Sequence, residues 1–132
     1  LKFVNIRQEN LKLQNDFFRN FPNYFETPIE NPKSNTAWLA YPLLIKEDAP
    51  FTRREFQIYL EKNNIQTRVV FTGNVLRQPM CKNIKKVVKR EGYPNSDLIM
   101  KNGVLLPVHH GMTVKMFNRL HEKVNDFLKI HN

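Results

Sequence analysis

The stretch Thr67-Arg68-Val69-Val70-Phe71-Thr72-Gly73-Asn74-Val75-Leu76-Arg77-Gln78-Pro79 decides how this chain reads. Its β-branched and aromatic run predicts a strand over residues 65–72, which Gly73 ends in a turn crowded with an amide and two guanidinium groups. That is how a sheet presents hydrogen-bond donors at its mouth, because strand ends and the loops after them are where a rigid scaffold carries functional groups. Working outward, Leu106-Pro107-Val108-His109-His110-Gly111-Met112-Thr113 ends a second such strand in a histidine pair.

Around these two segments the pattern alternates between helix and strand. Phe3, Ile6, Leu13, Phe17 and Phe21 recur near one face of a long opening helix that Pro22 stops, and Pro22, Pro28 and Pro32 mark an extended connection up to residue 35. Residues 38–45 read as a strand in which Pro42 lacks a ladder donor, which predicts an edge position or a bulge. Thr52 and Glu55 have the spacing of a capping box, and Phe56, Tyr59 and Leu60 point inward on the helix that follows, up to Asn63-Asn64. Asn95 or Ser96 caps a short helix ending at Asn102-Gly103 in a left-handed cap, and residues 104–108 form the third strand. Thr113 caps the last helix, whose Met116, Phe117, Leu120, Val124, Phe127 and Leu128 give an apolar stripe. The fold class is therefore α+β: a small, three-stranded, mainly antiparallel sheet covered by helices on one face, behind a long opening helix. Residues 1–35 are the helix and connection, and residues 36–132 the globular unit.

Composition narrows the function classes. With 132 residues, 41% of them hydrophobic, the chain can bury one modest core. No apolar run approaches the roughly 20 residues of a membrane span, and no secretory signal precedes the first helix, so a cytoplasmic location is expected. Leu1 is not an initiator Met, which suggests a piece of a longer protein. The lone Cys81 excludes an internal disulfide and a CxxC metal site and reads as an idle or buried thiol. Lys and Arg number 21 against 12 Asp and Glu, and the net charge of +9 attracts polyanions or phosphorylated ligands. The densest run, KNIKKVVKR over residues 82–90, has the spacing of a solvated amphipathic helix, with phosphate or nucleotide contact as the functional alternative. No RNP aromatics, zinc finger or GxxG loop points to nucleic acid.

The chemistry on offer is recognition. Arg77 is a planar fork suited to phosphate or carboxylate, and Asn74 and Gln78 can grip sugar hydroxyls with both donor and acceptor; the plain alternative is a Gly73-Asn74 turn with Arg77 in solvent. Arg68, amid apolar neighbours, must point outward or find a buried acid. Successive strand residues alternate faces, so one of His109 and His110 faces any given cleft; if Leu106 and Val108 face the helices, that residue is His109. Without a third ligand the pair is a weak metal signal, and P-loop, GxSxG and GxGxxG patterns are absent.

Taken together, Ile65-Gln66-Thr67-Arg68, the Gly73-Asn74 turn with Arg77-Gln78-Pro79, and Leu106-Pro107-Val108-His109-His110-Gly111-Met112-Thr113 resemble the C-terminal small domain of the DegT-like nucleotide-sugar aminotransferases and dehydratases, enzymes of fold-type I. The Gly-Asn turn with its Arg-Gln-Pro continuation is most similar to the NDP-4-keto-6-deoxyhexose 3-dehydratase branch, which serves deoxysugar and O-antigen lipopolysaccharide synthesis. The resemblance runs from about Trp38 to the C-terminus. It implies pyridoxal or pyridoxamine phosphate as cofactor, held in a large N-terminal domain that this chain lacks, and no cofactor bound to this piece alone. It further implies a nucleotide-linked 4-keto-6-deoxyhexose as substrate, a homodimer, and Asn74, Arg77 and His109 or His110 on the sugar-nucleotide side of the cleft, with Arg68 and Gln78 beside them. Some branch members carry an iron–sulfur cluster, which one cysteine cannot supply and which stays undecided. An aminotransferase of the same family, and a free-standing basic phosphosugar- or protein-binding module, are the rival readings.

Overall fold

In the computed structural model, which describes residues 2–131, four α-helices pack with a four-stranded sheet in the order α1 (Lys2–Phe18), β1 (Phe25–Glu26), β2 (Tyr41–Ile45), α2 (Arg53–Lys62), β3 (Arg68–Val69), α3 (Pro94–Asn102), β4 (Gly103–Leu106) and α4 (Val114–Ile130). The α+β class stands, but the sheet has four strands rather than three, in the order β1-β2-β4-β3 with every neighbouring pair antiparallel. The additional strand, β1, lies within the proline-rich connection, where two paired residues leave no period to read.

The sheet has one dry face and one open face. Tyr41, Leu43 and Ile45 alternate inward along β2, and with Val104 and Leu106 of β4 they pack under Leu11 and Phe18 of α1, Phe56 and Leu60 of α2, and Leu120, Val124 and Phe127 of α4. On the other face Pro42 pairs with Leu105, and Leu105 with Arg68. Pro42 sits in an interior strand, yet β1 pairs only with Leu44 and Ile45, so no ladder on that side requires a donor from it. The Thr52–Glu55 capping box and the Thr113 cap form as read, whereas Met116, expected in the α4 stripe, lies largely exposed.

Elsewhere tertiary contacts override local pattern. The strand expected over residues 65–72 shrinks to Arg68–Val69. Glu61 takes both the N–H and the hydroxyl of Thr67, and beyond Val69 the chain folds back as the Phe71 N–H reaches the Val69 carbonyl at 2.9 Å with Phe71 at φ 45°. Residues 82–90 are irregular, not helical. Lys82, Lys85, Lys86 and Lys89 would crowd a helix at spacings of three and four, and Ile84, Val87 and Val88 stay exposed, outside the core. In α1 the buried face is Asn10, Leu11, Gln14, Asn15 and Phe18, while Phe3 and Leu13 stay exposed; the helix ends at Phe18, before Pro22. Pro94, not a side-chain cap at Asn95 or Ser96, opens α3. Gly103 is extended, not left-handed: a Cβ there would lie 2.6 Å from the Ile99 carbonyl oxygen and 2.8 Å from Val70.

Candidate functional site

Two polar side chains of α1 set the path of the chain beyond β4. The Asn10 amide donates to the His109 carbonyl at 2.9 Å and the Val108 carbonyl at 3.4 Å, and the Gln14 amide donates to the Pro107 carbonyl at 3.2 Å. Both amides are buried, so the bonds replace contacts with water that folding removed. Val108 is thereby fixed in the core, while Pro107 and His109 line an open cavity of about 400 Å³. Leu105, Leu106, Met112 and Leu120 line it together with Arg68, His109 and Arg119.

These three polar groups differ in freedom. Arg119 is anchored by a 2.9 Å hydrogen bond to the Asn63 carbonyl. His109 accepts the Gly111 N–H at Nδ1, 3.1 Å away, which leaves Nε2 to carry the proton of the neutral ring as a donor. Among the described residues the Arg68 side chain has no hydrogen-bond or ion-pair partner. No Asp or Glu lines the cavity. The arrangement suits a ligand with an apolar body and anionic or carbonyl oxygens.

The remaining expected residues are elsewhere. Asn74 is buried, its amide oxygen accepting the Leu76 N–H at 3.1 Å and its amide nitrogen donating to Asp97 at 2.8 Å. Arg77 closes on the same carboxylate through two bonds of 2.9 and 2.8 Å, and Gln78 donates to the Thr72 carbonyl at 3.0 Å. Hydrogen bonds from Arg77 and then Asn74 pull the Asp97 pKa down to about 2. These three side chains therefore build the 72–79 loop, with Gly73 at φ 60° against Met100. His110 stacks on Phe3 at 4.1 Å. The structure thus brings Arg68 and His109 together and sets Asn74, Arg77, Gln78 and His110 apart from them.

Sequence reasoning missed Asn10, Gln14, Asp97 and Arg119. The first two had a signal, amides at helical spacing on a face that also carries Leu11 and Phe18. Asp97 and Arg119 had none, since their partners lie 20 and 56 residues away.

Residues 2–125 match the DegT/DnrJ/EryC1/StrS aminotransferase family, which is almost the whole chain. The chain belongs to that family. Its DegT relatives include the lipopolysaccharide biosynthesis protein RfbH of Salmonella typhimurium, 28% identical over 98% of this chain and 30% of the relative. The dTDP-4-dehydro-2,6-dideoxy-D-glucose 3-dehydratase of Saccharopolyspora spinosa is 30% identical over 76% of this chain and 22% of that protein. Among solved structures, the E. coli GDP-4-keto-6-deoxy-D-mannose-3-dehydratase with bound hydrated PLP shares the fold, with a TM-score of 0.81 and 24% identity over 92% of this chain and 30% of that one. The chain thus spans less than a third of the length of these DegT-family proteins.

The pyridoxal phosphate that the family implies does not fit the residues present as a complete site. The Arg68–His109 cavity offers neither a lysine for an imine nor a carboxylate for a pyridine nitrogen. Among the described residues no three His, Cys, Asp or Glu side chains gather as metal ligands would, and no helix is long and apolar enough to cross a membrane.

Proposed function

We infer that this chain is the small domain of a pyridoxal- or pyridoxamine-phosphate-dependent nucleotide-sugar 3-dehydratase of deoxysugar and lipopolysaccharide synthesis, contributing the sugar-nucleotide side of the active-site cleft. The observation that carries this reading is the pairing of an unengaged Arg68 side chain with His109 on one largely apolar cavity, in a chain whose relatives bear the names of 3-dehydratases acting on dTDP- and GDP-linked keto sugars. In this reading Arg68 and the His109 Nε2–H take oxygens of the substrate, while Arg119 and the Asn10 and Gln14 amides hold the wall in place. Asn74, Arg77 and Gln78 serve the substrate indirectly, by fixing the loop that leads away from Arg68. The cofactor and the group facing its reactive carbon belong to a large domain, and the working enzyme is a cytoplasmic homodimer.

The test is product analysis. The complete protein, supplied with pyridoxamine phosphate and a GDP- or dTDP-linked 4-keto-6-deoxyhexose, is expected to release a 3-deoxy sugar. Amination of C4 without loss of the 3-hydroxyl would instead assign the aminotransferase reaction of the same family. No change in either sugar would leave the free-standing binding module.

A further inference from the structure

The 82–90 segment is the most charged stretch of the molecule and takes no part in the Arg68–His109 cavity. Five cations, Lys82, Lys85, Lys86, Lys89 and Arg90, fall within nine residues with no acid before Glu91. Lys86 is tied to the Cys81 carbonyl, and among the described residues the other four have no ion-pair partner. A solvated helix face would explain such a run, but the segment is not helical, and it holds Ile84 and Val87 out in water at 51% and 95% exposure. Cations spaced by exposed β-branched residues suit a ligand that has both an anionic part and an apolar one.

A notch lies at the root of this loop. Its volume is about 230 Å³, and Val75, Leu76, Val87 and Tyr93 wall it, with Ser96 on its rim. The Tyr93 ring offers a face for a planar heterocycle, and neither the Tyr93 nor the Ser96 hydroxyl is engaged by another described residue. Asp97, next to Ser96 in the chain, is neutralised by the two bonds from Arg77, and Glu91, next to Arg90, offsets one of the five cations of the loop. The notch, at about 230 Å³, has room for a single ring system, and the five cations fall within one nine-residue loop. That favours a nucleotide over a nucleic acid strand.

We propose that the Tyr93–Val87 notch and the basic loop above it form a nucleoside-diphosphate subsite, the ring stacking on Tyr93 and the phosphates lying among Lys85, Lys89 and Arg90. The proposal rests on the nucleotide-sugar reading and adds to it the place where the nucleotide end is held. Arg68, on the sugar cavity, and Gly73, on the notch, are five residues apart, at most about 18 Å along the chain. A sugar joined through two phosphates to a nucleoside can reach across that span.

Calorimetric titration of the complete protein with GDP, dTDP and inorganic diphosphate tests it. The comparison uses wild type, Tyr93→Ala, the triple variant Lys85→Ala/Lys89→Ala/Arg90→Ala, and Lys62→Ala as a charge control away from the notch. The triple variant is expected to lose about tenfold or more in affinity for the nucleoside diphosphates and for diphosphate, with a shallower salt dependence. Tyr93→Ala should weaken only the nucleoside-bearing probes, and Lys62→Ala should stay within about twofold of wild type. If wild type binds and turns over nucleotide sugars while the triple variant binds them equally well, the subsite is refuted and the enzyme reading stands. If wild type binds no nucleoside diphosphate, both fall. Tighter binding of a single-stranded oligonucleotide than of GDP or dTDP, lost in the same triple variant, would overturn the subsite in favour of nucleic acid.

Discussion

Arg77 and Asp97, 20 residues apart, meet in a bidentate pair, Nε to Oδ1 at 2.9 Å and Nη2 to Oδ2 at 2.8 Å, and Asn74 donates to the same Oδ1 at 2.8 Å. This one carboxylate joins the 72–79 loop to the first turn of α3. The Asp97 pKa is depressed to about 2 in the folded chain, against about 3.9 for an unfolded aspartate. The unfolded state therefore binds more protons between these values, so the pair's contribution to stability is complete above about pH 4 and is lost as the pH falls towards 2. Urea midpoints at pH 5 and pH 2.5 should differ less in Asp97→Asn than in wild type. An equal pH response in both would remove the pair from the account.

A second pair reaches the core. The Tyr41 hydroxyl, fully buried, donates to Asn15 Oδ1 at 2.9 Å, and burial raises its pKa well above the usual tyrosine value. Asn15→Leu strands that hydroxyl and should cost about 1–3 kcal/mol, whereas adding Tyr41→Phe should recover part of the loss. Chemical denaturation of the two single variants and the double variant measures the coupling, and strict additivity would show that the bond contributes nothing.

His121 stacks on Phe17 with ring centroids 3.8 Å apart and its Nε2 lies 3.0 Å from Gln14 Oε1. Burial lowers its pKa to about 4. The unfolded ring, near 6.5, takes up a proton first, so folding stability from this group is full above about pH 6.5 and declines as the pH drops towards 4. The expected result is a ring-carbon NMR titration with a midpoint near 4. A midpoint near 6.5 would mean that the ring is solvated.

Glycine positions separate two kinds of strain. Gly73→Ala combines a φ of 60° with a Cβ 2.3 Å from that of Met100, and about 2–4 kcal/mol of destabilisation is expected. Gly92→Ala has a φ of 72° but open space around it, so only the backbone cost of about 1–2 kcal/mol applies. Thermal melts that rank Gly92→Ala as the more damaging would contradict the packing of the loop on α3.

The parts of this fold that could be read in the sequence are those whose cause is local. The Thr52–Glu55 box, the Thr113 cap and the apolar stripe of α4 each depend on residues within a few positions of one another, and they form. The strand over residues 65–72 was overridden because Glu61 captures Thr67 and Phe71 turns back on Val69. The basic run has helical spacing, but its four lysines repel one another along the chain and its apolar residues lie outside the core, so no helix forms. At the candidate site, Arg68 and the histidines could be picked out by residue type. The sorting of Arg68 and His109 from Asn74, Arg77 and His110 depends on Asp97, Phe3 and the α1 amides, all distant in sequence.

The central claim is that Arg68 and His109 face the substrate from one cavity while His110 does not, and steady-state kinetics of the complete enzyme on a nucleotide-linked 4-keto-6-deoxyhexose tests it most directly. Arg68→Ala should raise KM about tenfold or more, the loss of a charge-assisted hydrogen bond of roughly 1.5–3 kcal/mol. His109→Ala should lower kcat/KM, and His110→Ala, which removes only a stack on Phe3, should leave it within about twofold. Equal losses from both histidine variants, or an unchanged KM in Arg68→Ala, would contradict the account.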